Sequence, residues 1–120
     1  MRLLLLVLLL FTTVFAETSY EKGKKLYIQK ACYSCHGHKA EGMHVYPYLA
    51  NRSKGYLTYK LKRFRSKKAD TQQQEMMITF AVSLSDEDID NLTTFFANYV
   101  DDDLAEKYDD SYEVYGDGGS

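Results

Sequence analysis

The chain has 120 residues with 15 Lys+Arg, 17 Asp+Glu and a formal net charge of −2, a length that holds one small domain. The charge is uneven: residues 17–100 carry 13 Lys+Arg against 9 Asp+Glu, whereas residues 101–120 carry 1 Lys against 8 Asp+Glu. A mildly basic body with an acidic end lacks the concentrated basic footprint of a nucleic-acid binder and suits docking to charged proteins.

Arg2 gives a short positive start, residues 3–11 form an unbroken apolar run, and Val14-Phe15-Ala16 resembles a small-residue cleavage site. Residues 1–16 therefore read as a signal peptide cut after Ala16. Thr12 and Thr13 end the apolar run far short of the about 20 residues that span a bilayer, so no stable membrane insertion is expected after cleavage. The expected division is a signal peptide over 1–16, a folded body over 17–100 and an acidic, flexible tail over 101–120 that buries little.

Thr18-Ser19-Tyr20-Glu21 reads as a capping box, with Thr18 accepting from the first turn and Glu21 reaching back. The helix it opens runs to about Lys30. Gly23 and Tyr27 lie four apart and share a face. Glycine inside a helix costs roughly 1 kcal/mol relative to alanine, which predicts a backbone or ring packed closely against Gly23.

That helix delivers Cys32-Tyr33-Ser34-Cys35-His36, a C-x-x-C-H motif and the signature of covalent c-type haem attachment. Two thiols that add across the two vinyl groups of one haem must lie about one helical turn apart. The adjacent His36 then offers a ring nitrogen to the iron as the proximal ligand. C-x-x-C alone also serves zinc ribbons and thiol–disulfide enzymes; the following histidine and the export signal decide for haem. Both cysteines belong to this motif, so in an oxidising compartment they serve one haem c, which also staples a small core.

Gly37-His38-Lys39-Ala40-Glu41-Gly42 reads as a loop that continues to Pro47, the only proline. Ser53 caps a predicted helix whose Tyr56, Leu57, Leu61 and Phe64 form one apolar stripe. Its other face is basic, with Lys54, Lys60, Lys62, Arg63 and Arg65, and Lys67 and Lys68 extend the charge. Thr71 opens a further helical segment over 72–82 with Met76-Met77 near its middle. Ser85-Asp86-Glu87-Asp88 is a second capping signal. The helix it starts carries Ile89, Leu92, Phe95, Phe96, Tyr99 and Val100, an amphipathic stripe rich in aromatic area. No stretch reads as a strand. For the position opposite His36 on the iron, the residues leave Met43, Met76, Met77, His38 and His44 open.

In this order the residues resemble the monohaem class I c-type cytochromes, in particular small bacterial ones whose domain also occurs duplicated in di-haem relatives. The resemblance covers residues 23–99. It rests on Gly23 and Tyr27, Cys32-Tyr33-Ser34-Cys35-His36-Gly37, Pro47-Tyr48-Leu49-Ala50, the helix from Tyr56-Leu57 to Phe64-Arg65, a methionine, and Leu84-Ser85-Asp86-Glu87-Asp88-Ile89. It implies an all-α fold, a small helical domain wrapped around one covalently attached haem, with the first and last helices packed near Gly23 and Tyr27. It also implies that the Pro47 carbonyl accepts a hydrogen bond from His36, which fixes the ring and strengthens the ligand. The family's ligand methionine lies seven residues before the leucine of the Leu-Ser-Asp segment, which is Met77 here. Tyr56 and Arg65 are implied as partners of a haem propionate, although Ser66-Lys67-Lys68 stands where the family often has a further arginine.

The function implied is that of a periplasmic, monomeric single-electron carrier, not an enzyme. It would shuttle electrons between a quinol-oxidising complex and a terminal oxidase or peroxidase, docking through the basic stretch 54–68. The alternative is a haem-bearing electron-transfer subunit of a larger redox enzyme, which the acidic, tyrosine-dotted tail favours. A thiol–disulfide oxidoreductase using Cys32 and Cys35 would need a βαβ context that no strand pattern supports.

Overall fold

The computed structural model describes residues 15–102. The expected signal peptide, apart from Phe15 and Ala16, and the expected tail beyond Asp102 lie outside the described residues. Five helices follow in order: α1 (Ser19–Gln29), α2 (Tyr33–His36), α3 (Lys54–Arg65), α4 (Gln72–Ala81) and α5 (Asp86–Ala97). Among the described residues there is no strand, only an isolated bridge between Met43 and Tyr46, and the domain is all-α as expected.

Each long helix starts where a hydroxyl meets an unpaired backbone N–H. Thr18 accepts from Glu21 N at 3.2 Å, Ser53 from Tyr56 N at 3.4 Å, and Thr71 from Gln74 N at 3.2 Å. Ser85 makes the complete reciprocal box with Asp88, both bonds at 3.0 Å. At Thr18 only the forward half of the predicted box forms among the described residues. Lysine side chains add long-range ties: Lys22 to Glu87 on α5, and Lys24 to Asp102 just past it.

The core is the crossing of α1 and α5. Gly23 is buried against the α5 backbone, and a Cβ there would stand 2.0 Å from the Asn91 carbonyl oxygen and 2.7 Å from Phe95 Cβ. The glycine therefore lets the two helices approach to backbone contact, and its helix cost is offset by that packing. One turn on, Tyr27 packs tilted on Phe95 and edge-to-face on Phe96 at ring-centroid distances of 5.5 and 5.6 Å. Tyr20 and Tyr99 close the cluster on Phe95 at 5.2 and 5.7 Å. The expected packing of the first and last helices near Gly23 and Tyr27 is what the structure shows.

A polar seam joins α3 to α5. Lys54 Nζ donates to Asp90 O at 2.9 Å, Thr93 Oγ1 at 2.9 Å and Thr94 Oγ1 at 2.8 Å, and it pairs with the Asp90 carboxylate. At the other end of α3, Arg65 donates to Leu84 O at 3.1 Å and to Asp86 Oδ1 at 2.7 Å, clasping the start of α5. Beneath the seam, Leu57, Leu61 and Phe64 on α3 meet Leu92 and Phe96 on α5 in the buried core, one wall of the cavity described next.

Candidate functional site

Ala31 sits in the left-handed region at φ 57° and turns the chain out of α1 directly before Cys32. Cys32 caps α2 and Cys35 and His36 lie in its single turn, and all three line the same cavity. Gly37 ends the turn at φ 91°, a conformation glycine adopts without a Cβ penalty. His36 is buried, and its Nδ1 donates to the Pro47 carbonyl at 2.7 Å. That bond leaves Nε2 as the ring nitrogen available to a metal. Burial holds the His36 pKa below its ordinary value, against the opposing pull of the Pro47 carbonyl, and a neutral imidazole is the form that ligates.

These residues open onto a cavity of about 420 Å³ lined by Cys32, Cys35, His36 and Pro47 and also by Met76, Met77 and Phe80, a volume typical of ligand pockets. Leu57, Leu61, Phe64, Leu84, Leu92 and Phe96 form its apolar back. Of the five side chains open for the sixth position, only Met76 and Met77 line this cavity. Met77 is half-buried and packed on the core, whereas Met76 is 50% exposed. His38 is exposed and stacks on the Tyr33 ring at 5.0 Å. Met43 and His44 lie exposed in the bridge-closed turn that ends at Tyr46.

The implied propionate partners separate. Tyr56 lies on the cavity wall, but Arg65 does not, since its guanidinium is committed to Leu84 O and Asp86. Sequence reasoning missed Arg52. This half-buried side chain lines the cavity, with its guanidinium over the Tyr48 ring at 5.0 Å and the Tyr56 ring at 4.7 Å. The available signal was an arginine with a tyrosine four residues before it and another four residues after.

The donor set fits one covalently held haem: two thiols one turn apart, a buried imidazole with one nitrogen already committed, a thioether lining the same cavity and apolar walls. It does not fit a reactive dithiol. Burial pushes the Cys32 thiol up to about 11, opposite to the lowered value that makes a redox cysteine nucleophilic.

The fold and the cavity match a known class. Residues 20–99 match the family model for cytochrome c, and the chain belongs to the cytochrome c family, as a monohaem class I c-type member that carries haem c on Cys32 and Cys35. It is 34% identical over 83 residues to cytochrome c-554(547) of Halothiobacillus neapolitanus, covering 62% of this chain and 90% of that protein. It is 31% identical over 68 residues to cytochrome c-554(548) of Halomonas halodenitrificans, covering 56% and 82% of the two chains. The protein is thus an electron-transfer haem protein. No helix among the described residues is long and apolar enough to cross a membrane.

Proposed function

We propose that this protein is a periplasmic single-electron carrier whose haem iron is ligated by His36 and Met77. It shuttles electrons between a quinol-oxidising complex and a terminal oxidase or peroxidase. The observation that carries the reading is that His36 and Met77 both line one apolar cavity, with His36 oriented by Pro47. When bound, the haem supplies reversible one-electron exchange at iron.

The chain's own residues make that exchange fast and exclusive. Cys32 and Cys35 hold the group in place. The Pro47 carbonyl fixes the His36 ring so that it need not reorient between oxidation states. Met77 would hold the iron through its thioether and so leave substrates no place on the metal, and thioether ligation with burial would raise the potential over bis-histidine ligation. Export in the oxidising periplasm follows from the signal pattern of residues 1–16. Docking to partners is brief and steered by charge.

The test is a pyridine haemochrome assay with oxidised and reduced spectra of the purified protein. One covalent haem per chain with a methionine–iron charge-transfer band is expected. Absence of covalent haem overturns the proposal. A haem that binds carbon monoxide freely in the reduced state overturns the carrier assignment, because it shows an open iron.

A further inference from the structure

We infer that a groove beside the α1–α5 crossing is the docking site of this chain's own acidic C-terminal segment, with Leu104 and Tyr108 laid against Ile28. The inference goes beyond the carrier reading, because the groove shares no lining residue with the haem cavity.

The groove has a volume of about 210 Å³. Its lining joins the buried rings of Tyr27 and Phe95 to Ile28 and Val100, whose side chains stay 58% and 57% exposed. Lys24, His38 and Lys39 supply its positive charge. The only acids on this lining are Asp101 and Asp102, the first two residues of the acidic end of the chain. They are already seated: Asp101 pairs with Lys39 at 3.1 Å and Asp102 with Lys24 at 2.8 Å. The Asp101 side chain is only 17% exposed. Just before them, Val100 N donates to the Tyr20 hydroxyl at 3.2 Å. Three consecutive residues past α5 are thus held against α1 and the loop that follows His36.

Residues 103–120 continue from that anchored point with six Asp+Glu against one Lys, opposite in sign to the excess of the body. Leu104 follows Asp102 by two residues, so the chain can carry it no more than about 7 Å further. That short tether keeps it beside the exposed Ile28 and Val100, which a leucine side chain can cover. Leu104, Tyr108 and Tyr112 recur at a spacing of four, the spacing of one helical face. Asp103, Glu106, Asp109 and Asp110 fall between them. Exposed ion pairs alone contribute little, so the apolar contact holds the segment and the charges set its direction. A segment joined to the groove at Asp102 also competes at the millimolar effective concentration of a short tether. A second copy or a separate acidic protein would first have to displace it.

The experiment is a timed chymotrypsin digestion of the intact holoprotein, read by mass spectrometry at the bond after Tyr108. The free peptide 103–120, I28D and L104S are digested alongside. Cleavage in the intact chain is expected to be about tenfold slower than in the peptide, because it tracks the undocked population. I28D alters an exposed side chain outside the haem cavity, and L104S alters the segment itself. Each is expected to recover most of that tenfold difference. A peptide-like rate in the intact chain overturns the inference and leaves the groove to another acidic protein. Protection that survives both substitutions places the segment elsewhere and overturns it as well. Protection that fades on dilution assigns the groove to the segment of a second copy, which overturns docking within one chain.

Discussion

The hydroxyl of Tyr27 donates to the carbonyl of Gly37 at 2.5 Å inside the core. This bond ties the α1–α5 crossing directly to the residue that follows His36. Burial also drives the Tyr27 hydroxyl pKa well above its ordinary value, so it remains a donor throughout the usable pH range. Tyr27→Phe leaves the Gly37 carbonyl without its buried partner and should destabilise the holoprotein by about 1–3 kcal/mol. Guanidinium unfolding followed at the haem Soret band measures this. An unchanged midpoint would mean that the carbonyl finds another donor.

Two glycines in helices should respond to alanine with opposite signs. At Gly23 the added Cβ meets the Asn91 carbonyl at 2.0 Å, a backbone atom that cannot swing aside. Gly23→Ala should therefore cost about 3 kcal/mol, the upper part of the range for overpacking, or prevent holoprotein from accumulating. At Gly55 on α3 the nearest atom is Ser53 Oγ at 3.8 Å, ordinary contact distance. Gly55→Ala should stabilise by about 0.5–1 kcal/mol through the unfolded chain. Denaturant midpoints of the two variants compare them directly.

The helix starts and the haem wall were legible in the sequence because their determinants are local. A hydroxyl at Thr18, Ser53, Thr71 or Ser85 acts within three residues, and Cys32, Cys35 and His36 need only one turn to share a wall. Gly23 was legible for a different reason: a costly residue inside a helix implies close packing, although only the structure names Asn91 as the neighbour. Arg65 was misplaced because its partners, Leu84 O and Asp86, lie about 20 residues on, and no spacing rule reaches them. Lys54 likewise looked like part of a docking face, yet its ammonium is spent on four acceptors of α5. Arg52 escaped notice because its place beside the cavity depends on where two tyrosine rings stand in the folded chain.

The Arg65–Asp86 pair gives stability a definite acid dependence. The hydrogen bond and charge of Arg65, helped by Lys62, lower the Asp86 pKa from its ordinary 3.8. A carboxylate with a depressed folded-state pKa contributes its full share above the unfolded value and loses it as pH falls through the folded one. The stability gap between wild type and Asp86→Asn should accordingly be constant above about pH 5 and shrink below about pH 4. Chemical denaturation at several pH values reads this gap. A gap that widens on acidification would contradict the pairing.

Charge steering should be carried by fewer cations than the basic run of residues 54–68 contains. Lys54 pairs with Asp90, Lys60 and Arg63 with Asp70, and Arg65 with Asp86. Lys62, Lys67 and Lys68 make no ion pair among the described residues and are exposed. Electron-transfer rates with an acidic redox partner should fall as salt rises. Charge reversal at Lys62, Lys67 and Lys68 should lower the low-salt rate by about tenfold or more and flatten that dependence. Stopped-flow kinetics across ionic strength measure both. A salt response that survives the triple reversal would move the docking face elsewhere, to the cations around the cavity mouth.

The last prediction separates the two neighbouring methionines. Successive residues on a helix point about 100° apart, so Met76 and Met77 cannot present equally to the iron. Met77 is half-buried against the core and Met76 is 50% exposed at the cavity rim. Met77→Ala should abolish the methionine–iron charge-transfer absorption and open the reduced iron to carbon monoxide. Removing thioether ligation should also lower the reduction potential. Met76→Ala should keep the band and the closed iron, with a stability loss below about 2 kcal/mol, since a half-exposed side chain leaves little cavity behind. Oxidised spectra and carbon monoxide titration of both variants decide the assignment. If the band disappears in Met76→Ala and persists in Met77→Ala, the sulfur at iron is Met76.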